Sequence, residues 1–152
     1  MNITVICVGG IKEKFFKDAC AEYIKRLSRF GKISILEVDE CHTSGNQDKE
    51  KEGVLILKRM NSSSLKVAVC VEGKKVSSEG LADMVKDAGV GGKSEITFII
   101  GGSEGLSDEV KKAADLKISF SDMTFPHQLM RVILLEQVYR AFKINAGEKY
   151  HK

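Results

Sequence analysis

The spacing of apolar positions changes several times along the chain, and each change marks a passage between strand and helix. ITVICV at 3–8, ISILEV at 33–38, KVAVCV at 66–71, EITFII at 95–100 and LKISF at 116–120 are short apolar and β-branched runs, as strands covered on both faces require. Between the first two, Phe16, Cys20, Tyr23, Leu27 and Phe30 recur at spacings of four and three, an amphipathic helix that Gly31 is expected to close in the C′ position. A second helix over about 48–61 is expected to turn Val54, Leu55 and Leu57 inward, and a third starts near the Ser77-Ser78 pair. Ser107 reads as the N-cap of a fourth, with Asp108 and Glu109 in its first turn and Lys111 and Lys112 toward its end. The fifth runs from Pro126 to about Asn145. Five alternations predict an α/β fold with a mostly parallel sheet and helices on both faces. With no repeat, linker or low-complexity stretch in 152 residues, a single domain over 1–152 is expected.

The last helix departs from the pattern of the others. Its apolar residues, from Leu129 and Met130 through Ile133 and Leu135 to Phe142 and Ile144, spread around most of the circumference. That is more apolar surface than one sheet can cover, so burial by a partner subunit as well is expected. The only proline, Pro126, starts this helix and pushes Phe125 out of helical geometry. Ser119, Ser121 and Thr124 before it, with free amides at the helix N-terminus, make either an ordinary helix start or a donor-rich pocket floor. Glu136 and Arg140 form an i,i+4 pair, whereas Arg131 among apolar neighbours calls for a carboxylate or phosphate partner.

Composition narrows the class. The chain is 43% hydrophobic and 30% charged, which excludes disordered and fibrous proteins. No window approaches the roughly 20 apolar residues of a membrane span and the N-terminus has no leader pattern, so a cytoplasmic protein is expected. Cys7, Cys20, Cys41 and Cys70 form no C-x-x-C pair and read as reduced packing thiols; Cys41-His42 lacks the further ligands of a metal site, and no metal is expected. The net charge is +3, but residues 12–32 carry seven Lys/Arg against three Asp/Glu, and 126–152 five against two. Both clusters suit a polyanion footprint, and a solvated helix face explains the first equally well.

FIIGGSEG at 98–105, followed by Asp122, approaches a dinucleotide-binding unit, yet its glycines run G-G-x-x-G and the next helix waits until Ser107. A tight turn that needs positive φ explains the same residues. In either case the strand ends near 69–73, 101–105 and 120–125 are where a parallel sheet binds ligands.

FIIGGSEG, SFSDMTFPHQLMRVILLEQVYRAFKI and the terminal YHK, together with VGGIKEKF and VEGKKVSSEGLA, resemble the RlmH family across the whole chain. These are SPOUT-class methyltransferases that act on N3 of a pseudouridine in helix 69 of 23S rRNA in the assembled ribosome. The resemblance implies a SPOUT-type fold with a C-terminal trefoil knot, a homodimer and S-adenosyl-L-methionine as methyl donor. Carried over by position, it places the donor against Val69, Gly101, Phe120, Ser121, Asp122, Met123, Thr124 and Phe125, with Val69 where the family often has Leu. It gives Tyr150, His151 and Lys152 to the RNA substrate, with His151 the leading general base, Tyr150 and Arg131 in supporting catalytic roles, and His127 structural. The readings that compete with it are a nicotinamide-dependent oxidoreductase built on 98–122 and a ribosome-binding protein without catalysis.

Overall fold

A computed structural model describes residues 1–43 and 47–150. Five strands and five helices alternate in the expected order: β1 (Asn2–Val8), α1 (Lys14–Leu27), β2 (Ile33–Val38), α2 (Asp48–Arg59), β3 (Leu65–Lys75), α3 (Ser78–Val90), β4 (Glu95–Ile100), α4 (Asp108–Ala113), β5 (Leu116–Ser119) and α5 (His127–Asn145). The strands form one sheet in the order β2-β1-β4-β3-β5, and every pairing is parallel. Alternate side chains divide the core. Ile3, Val5, Val67, Phe98 and Ile118 pack under α1, α3 and α5, while Ile6, Val8, Ala68 and Ile99 pack under α2 and α4. Strands buried on both sides are therefore apolar at nearly every position, which is why their sequence runs show no alternation.

Three local expectations are corrected. α1 ends at Leu27, where the Ser28 N–H reaches the Ile24 carbonyl, so Phe30 lies beyond the helix and packs its ring on Phe142 at 5.1 Å. Gly31 is glycine because a Cβ there would collide with the Met1 carbonyl, not because it caps α1. In α2 the buried positions are Glu52, Gly53 and Ile56, with Leu55 and Leu57 half-buried and Val54 exposed. An acidic residue in the inward stripe hides its phase. β3, finally, outlasts its apolar run: after Val69 the register with β5 shifts, and Lys74 and Lys75 pair with Ile118 and Ser119.

A candidate site at the ends of three strands

β4, β3 and β5 are neighbours, so parallel pairing brings their carboxyl ends to one edge of the sheet. The segments leaving them enclose a cavity of about 680 Å³, a size suited to a nucleoside-sized ligand. Its walls are Val69–Glu72 from β3, Ile100–Leu106 at and after the end of β4, and Ser119–Ser121 with Met123–Pro126 before α5 and His127 at its start. Met130 from the first turn of α5 and Lys49 and Lys111 from the other face of the sheet complete it.

Each wall has a local cause. Gly102 and Gly105 form an antiparallel bridge, the Gly105 N–H donates to the Gly102 carbonyl at 3.0 Å, and Gly105 has φ +78°. A Cβ on Gly101 would lie 2.5 Å from the Gly105 carbonyl carbon. The glycines thus fold a turn back on itself and leave bare backbone on the cavity side. This arrangement disfavours the dinucleotide alternative. α4 starts after the turn, the Ser107 hydroxyl already accepts the Val110 N–H, and Asp108 and Glu109 put negative charge where a pyrophosphate would sit.

The segment before α5 braces itself. The Ser119 hydroxyl donates to the Ser121 carbonyl at 2.9 Å, and the Ser121 hydroxyl accepts the Met123 N–H at 3.0 Å. Pro126 occupies the N-cap with no side-chain cap bond, so among the described residues no N-cap side chain takes up the amides of the first turn. Phe120 and Phe125 also line a smaller neighbouring cavity of about 320 Å³ between α3 and α5.

Of the residues assigned to the donor, all but Asp122 line the cavity. Asp122 stands apart, exposed and ion-paired with Lys75. Arg131 is not on the wall either. It is 2% exposed, its Nη1 donates to Glu37 Oε1 at 2.9 Å and its Nη2 to the Gly9 carbonyl at 3.0 Å, while Nε has no partner. Its carboxylate partner is thus within the chain. Tyr150 lies toward the other end of α5, edge-on to Tyr139 at 5.0 Å, with the Arg140 guanidinium 4.7 Å from its ring centroid. Its hydroxyl lies 3.3 Å from Glu136 Oε1, and Arg140 pairs with the same carboxylate. His151 and Lys152 lie outside the described residues.

Several wall residues were given no role in the site by the sequence reading. His127, read as structural, lines the cavity. Glu72 and Lys111 form an ion pair at its edge, which holds the Glu72 carboxyl below the ordinary carboxylate range and lifts the Lys111 ammonium; Lys49 faces the same space. A lysine and a glutamate on separate elements carry no sequence signal until the sheet order is known. Behind the glycine turn, Glu52 is 4% exposed and accepts the Cys41 N–H. A Cβ on Gly102 would come 3.1 Å from its Oε2, which has no hydrogen-bond partner among the described residues. Burial, and after it the charges of Glu40 and Asp48, push this carboxyl up.

Among the described residues no cluster of His, Cys, Asp or Glu is arranged to hold a metal ion, and no helix is long and apolar enough to cross a membrane. Cys7, deep in the sheet, has its thiol pushed up to about 12 by burial, in keeping with a packing role.

A family model described as "Predicted SPOUT methyltransferase" matches residues 1–151. The chain belongs to the SPOUT methyltransferase family. It is 54% identical to the Ribosomal RNA large subunit methyltransferase H of Clostridium novyi (strain NT), and 52% identical to the protein of the same name from Bifidobacterium animalis subsp. lactis. Each alignment covers all of both chains. Among solved structures, the tRNA (m1G37) methyltransferase of Aquifex aeolicus superposes with a TM-score of 0.55 at 15% identity, over 92% of this chain and 70% of that one. A Legionella pneumophila methyltransferase structure with bound cofactor SAM gives 0.51 at 14% identity, over 93% and 66%. These two likenesses show that the SPOUT fold is shared.

Proposed function

We propose that this chain transfers a methyl group from S-adenosyl-L-methionine to N3 of a pseudouridine in 23S rRNA, acting as a homodimer on the assembled ribosome in the cytoplasm. The observation that carries this reading is the cavity at the ends of β3, β4 and β5, with bare glycine backbone on one side and the uncapped first turn of α5 on another. The names of the full-length relatives support large-subunit rRNA as the substrate class.

The residues fit the donor. Val69 and Phe120 offer apolar walls for a purine ring, Ser121 and Thr124 offer hydroxyls, and Gly101 admits close approach of backbone. When bound, S-adenosyl-L-methionine supplies an electrophilic methyl on a sulfonium, so positioning rather than activation is the task left to the protein. Met123 and Phe125 close the rim, and Arg131 acts as a positioning residue, fastening α5 to Gly9 and Glu37 while His127 and Met130 face the cavity. The proton on N3 has to leave, and His151 is assigned as the base that takes it, with Lys152 on the nucleotide backbone and Tyr150 against the base.

In this chain Tyr150 is docked against Tyr139, about 13 Å along α5 from the cavity residue Met130 at 1.5 Å per residue. The tail that completes each cavity is therefore assigned to the second subunit, across the half-buried apolar positions Leu129, Val132 and Ile133. The trefoil knot implied by the resemblance belongs to the same proposal.

The test is incubation with labelled S-adenosyl-L-methionine and ribosomes from cells lacking the modification, followed by mass mapping of rRNA fragments. One methyl per 23S rRNA, on a pseudouridine, with little transfer to a free RNA hairpin, is expected. Absence of incorporation, or incorporation into another base, would overturn the assignment.

A further inference from the structure

One large ring is exposed, near the start of α1, without a packing role that explains it. Phe15, in the first turn of α1, is 63% exposed and rests on Phe16 at 4.5 Å between centroids. Around it, Lys12 and Lys17 are exposed and, among the described residues, their ammonium groups meet no carboxylate, whereas Lys14 pairs with Asp18 at 2.6 Å. This segment is tied to the cavity. The Lys12 N–H donates to Gln128 Oε1 at 3.1 Å, and Gln128 follows His127 on the cavity wall. Arg131 holds the Gly9 carbonyl from the same helix, so two bonds tie Gly9 and Lys12, just before α1, to the helix that carries His127 and Met130 to the cavity.

We propose that Phe15, with Lys12 and Lys17, is a second RNA-contacting site, on which an unpaired base flanking the target nucleotide stacks while the two ammonium groups take neighbouring phosphates. The proposal deepens the reading of the cavity as a nucleotide-methylating site and rests on it for the identity of the RNA. The occupant is argued from charge and shape. Of the seven Lys/Arg in 12–32, Lys14, Arg26 and Arg29 are paired with carboxylates, which leaves Lys12 and Lys17 as the cations near the exposed ring, with Glu13 as the neighbouring acid outside the Lys14–Asp18 pair. A protein interface needs a broader apolar centre, whereas every base offers a π-face to a single aromatic ring.

The test is fluorescence anisotropy of a short labelled single-stranded RNA oligonucleotide with the full chain at low salt. F15A is expected to weaken binding roughly tenfold or more and F15W to keep it. K12A/K17A is expected to lower the salt slope by about 1.4, at about 0.7 per phosphate contact on single strands. Calorimetric affinity for S-adenosyl-L-methionine is expected to stay at the wild-type value in all three. Wild-type binding by F15A, absence of oligonucleotide binding by the unaltered protein, or a change of oligomeric state in F15A on sedimentation would each overturn the proposal, the last by assigning the ring to a contact between copies. No turnover is needed for these readouts, so a failure to methylate ribosomes, which would refute the function above, leaves this test able to decide.

Discussion

The two ends of α5 solve opposite problems. At the N-terminal end Pro126 brings no side-chain cap, the preceding loop is braced by its own serines and by the Lys75–Asp122 pair, and the cavity opens there. At the C-terminal end Gly147, at φ +68°, turns the chain back in a Schellman arrangement, with the Glu148 N–H on the Lys143 carbonyl at 3.0 Å. Glu148 then pairs with Lys143 and, through both oxygens at 2.8 Å, with Arg29, and Tyr150 is returned to Tyr139 and Arg140. One end is held open for a ligand and the other is closed on itself. The lesson is that the approach to the tail is a built element as far as Tyr150, whose ring in this chain packs away from the cavity it is proposed to serve.

The strongest way to break this comparison is to remove the tail. Deletion of residues 150–152 is expected to lower turnover on ribosomes by about 10²–10⁴-fold, the range of a general acid–base contribution, while leaving calorimetric donor binding and dimer mass unchanged. In mixed dimers, a tail-deleted subunit paired with a Gly101→Val subunit is expected to recover about half of wild-type turnover if the tail acts across the interface. Inactive mixed dimers would place the tail in the cavity of its own chain.

Arg131→Met tests the open end. It removes two charge-assisted bonds that hold the helix, with an expected loss of about 1.5–3 kcal/mol in urea unfolding; a change under about 0.5 kcal/mol would remove Arg131 from its positioning role. Tyr150→Ala tests the closed end and is expected to cost only about 0.5–1.5 kcal/mol, the worth of an aromatic contact. A larger loss would mean that the tail supports the core and is not merely parked on it.

The smallest expected effect is a pH dependence set by Glu52. Burial raises its carboxyl above the ordinary 4.5, so the folded chain keeps this proton to higher pH than the unfolded chain. Its contribution to stability is full below about 4.5 and is lost as pH rises through the raised value. The like charges of Glu40 and Asp48 deepen the loss, and the Cys41 N–H and His42 oppose it. In Glu52→Gln, unfolding measured from pH 4 to 8 is expected to show a flatter profile than wild type; identical profiles would mean that Glu52 titrates as an exposed carboxylate does.

Much of the fold was legible because strands buried on both faces leave unbroken apolar runs, and Ser107 and Pro126 fall at the helix starts they were expected to mark. β3 was underestimated because its second half, VEGKK, pairs with β5 through polar residues after a register shift. Val54 was misplaced because Glu52 occupies the inward face of α2. The residues expected to hold the donor came from motif likeness, and the strand order gathers all of them but Asp122 around one cavity. The partners of Arg131 were not, because Glu37 lies 94 positions away and only the parallel pairing of β1 with β2 brings it near. Gly147 was legible and missed: a glycine just past a helix is the ordinary sign of a chain that turns back.

The most direct test of the account is calorimetric titration of S-adenosyl-L-methionine into the wild-type chain and into Gly101→Val, with circular dichroism to verify that both are folded. Saturable binding to wild type, weakened at least about 100-fold in the variant where the added side chain must strike the Gly105 backbone, is the predicted result. Equal binding by both folded proteins, or none by wild type, would contradict the claim that the methyl donor occupies the cavity at the ends of β3, β4 and β5.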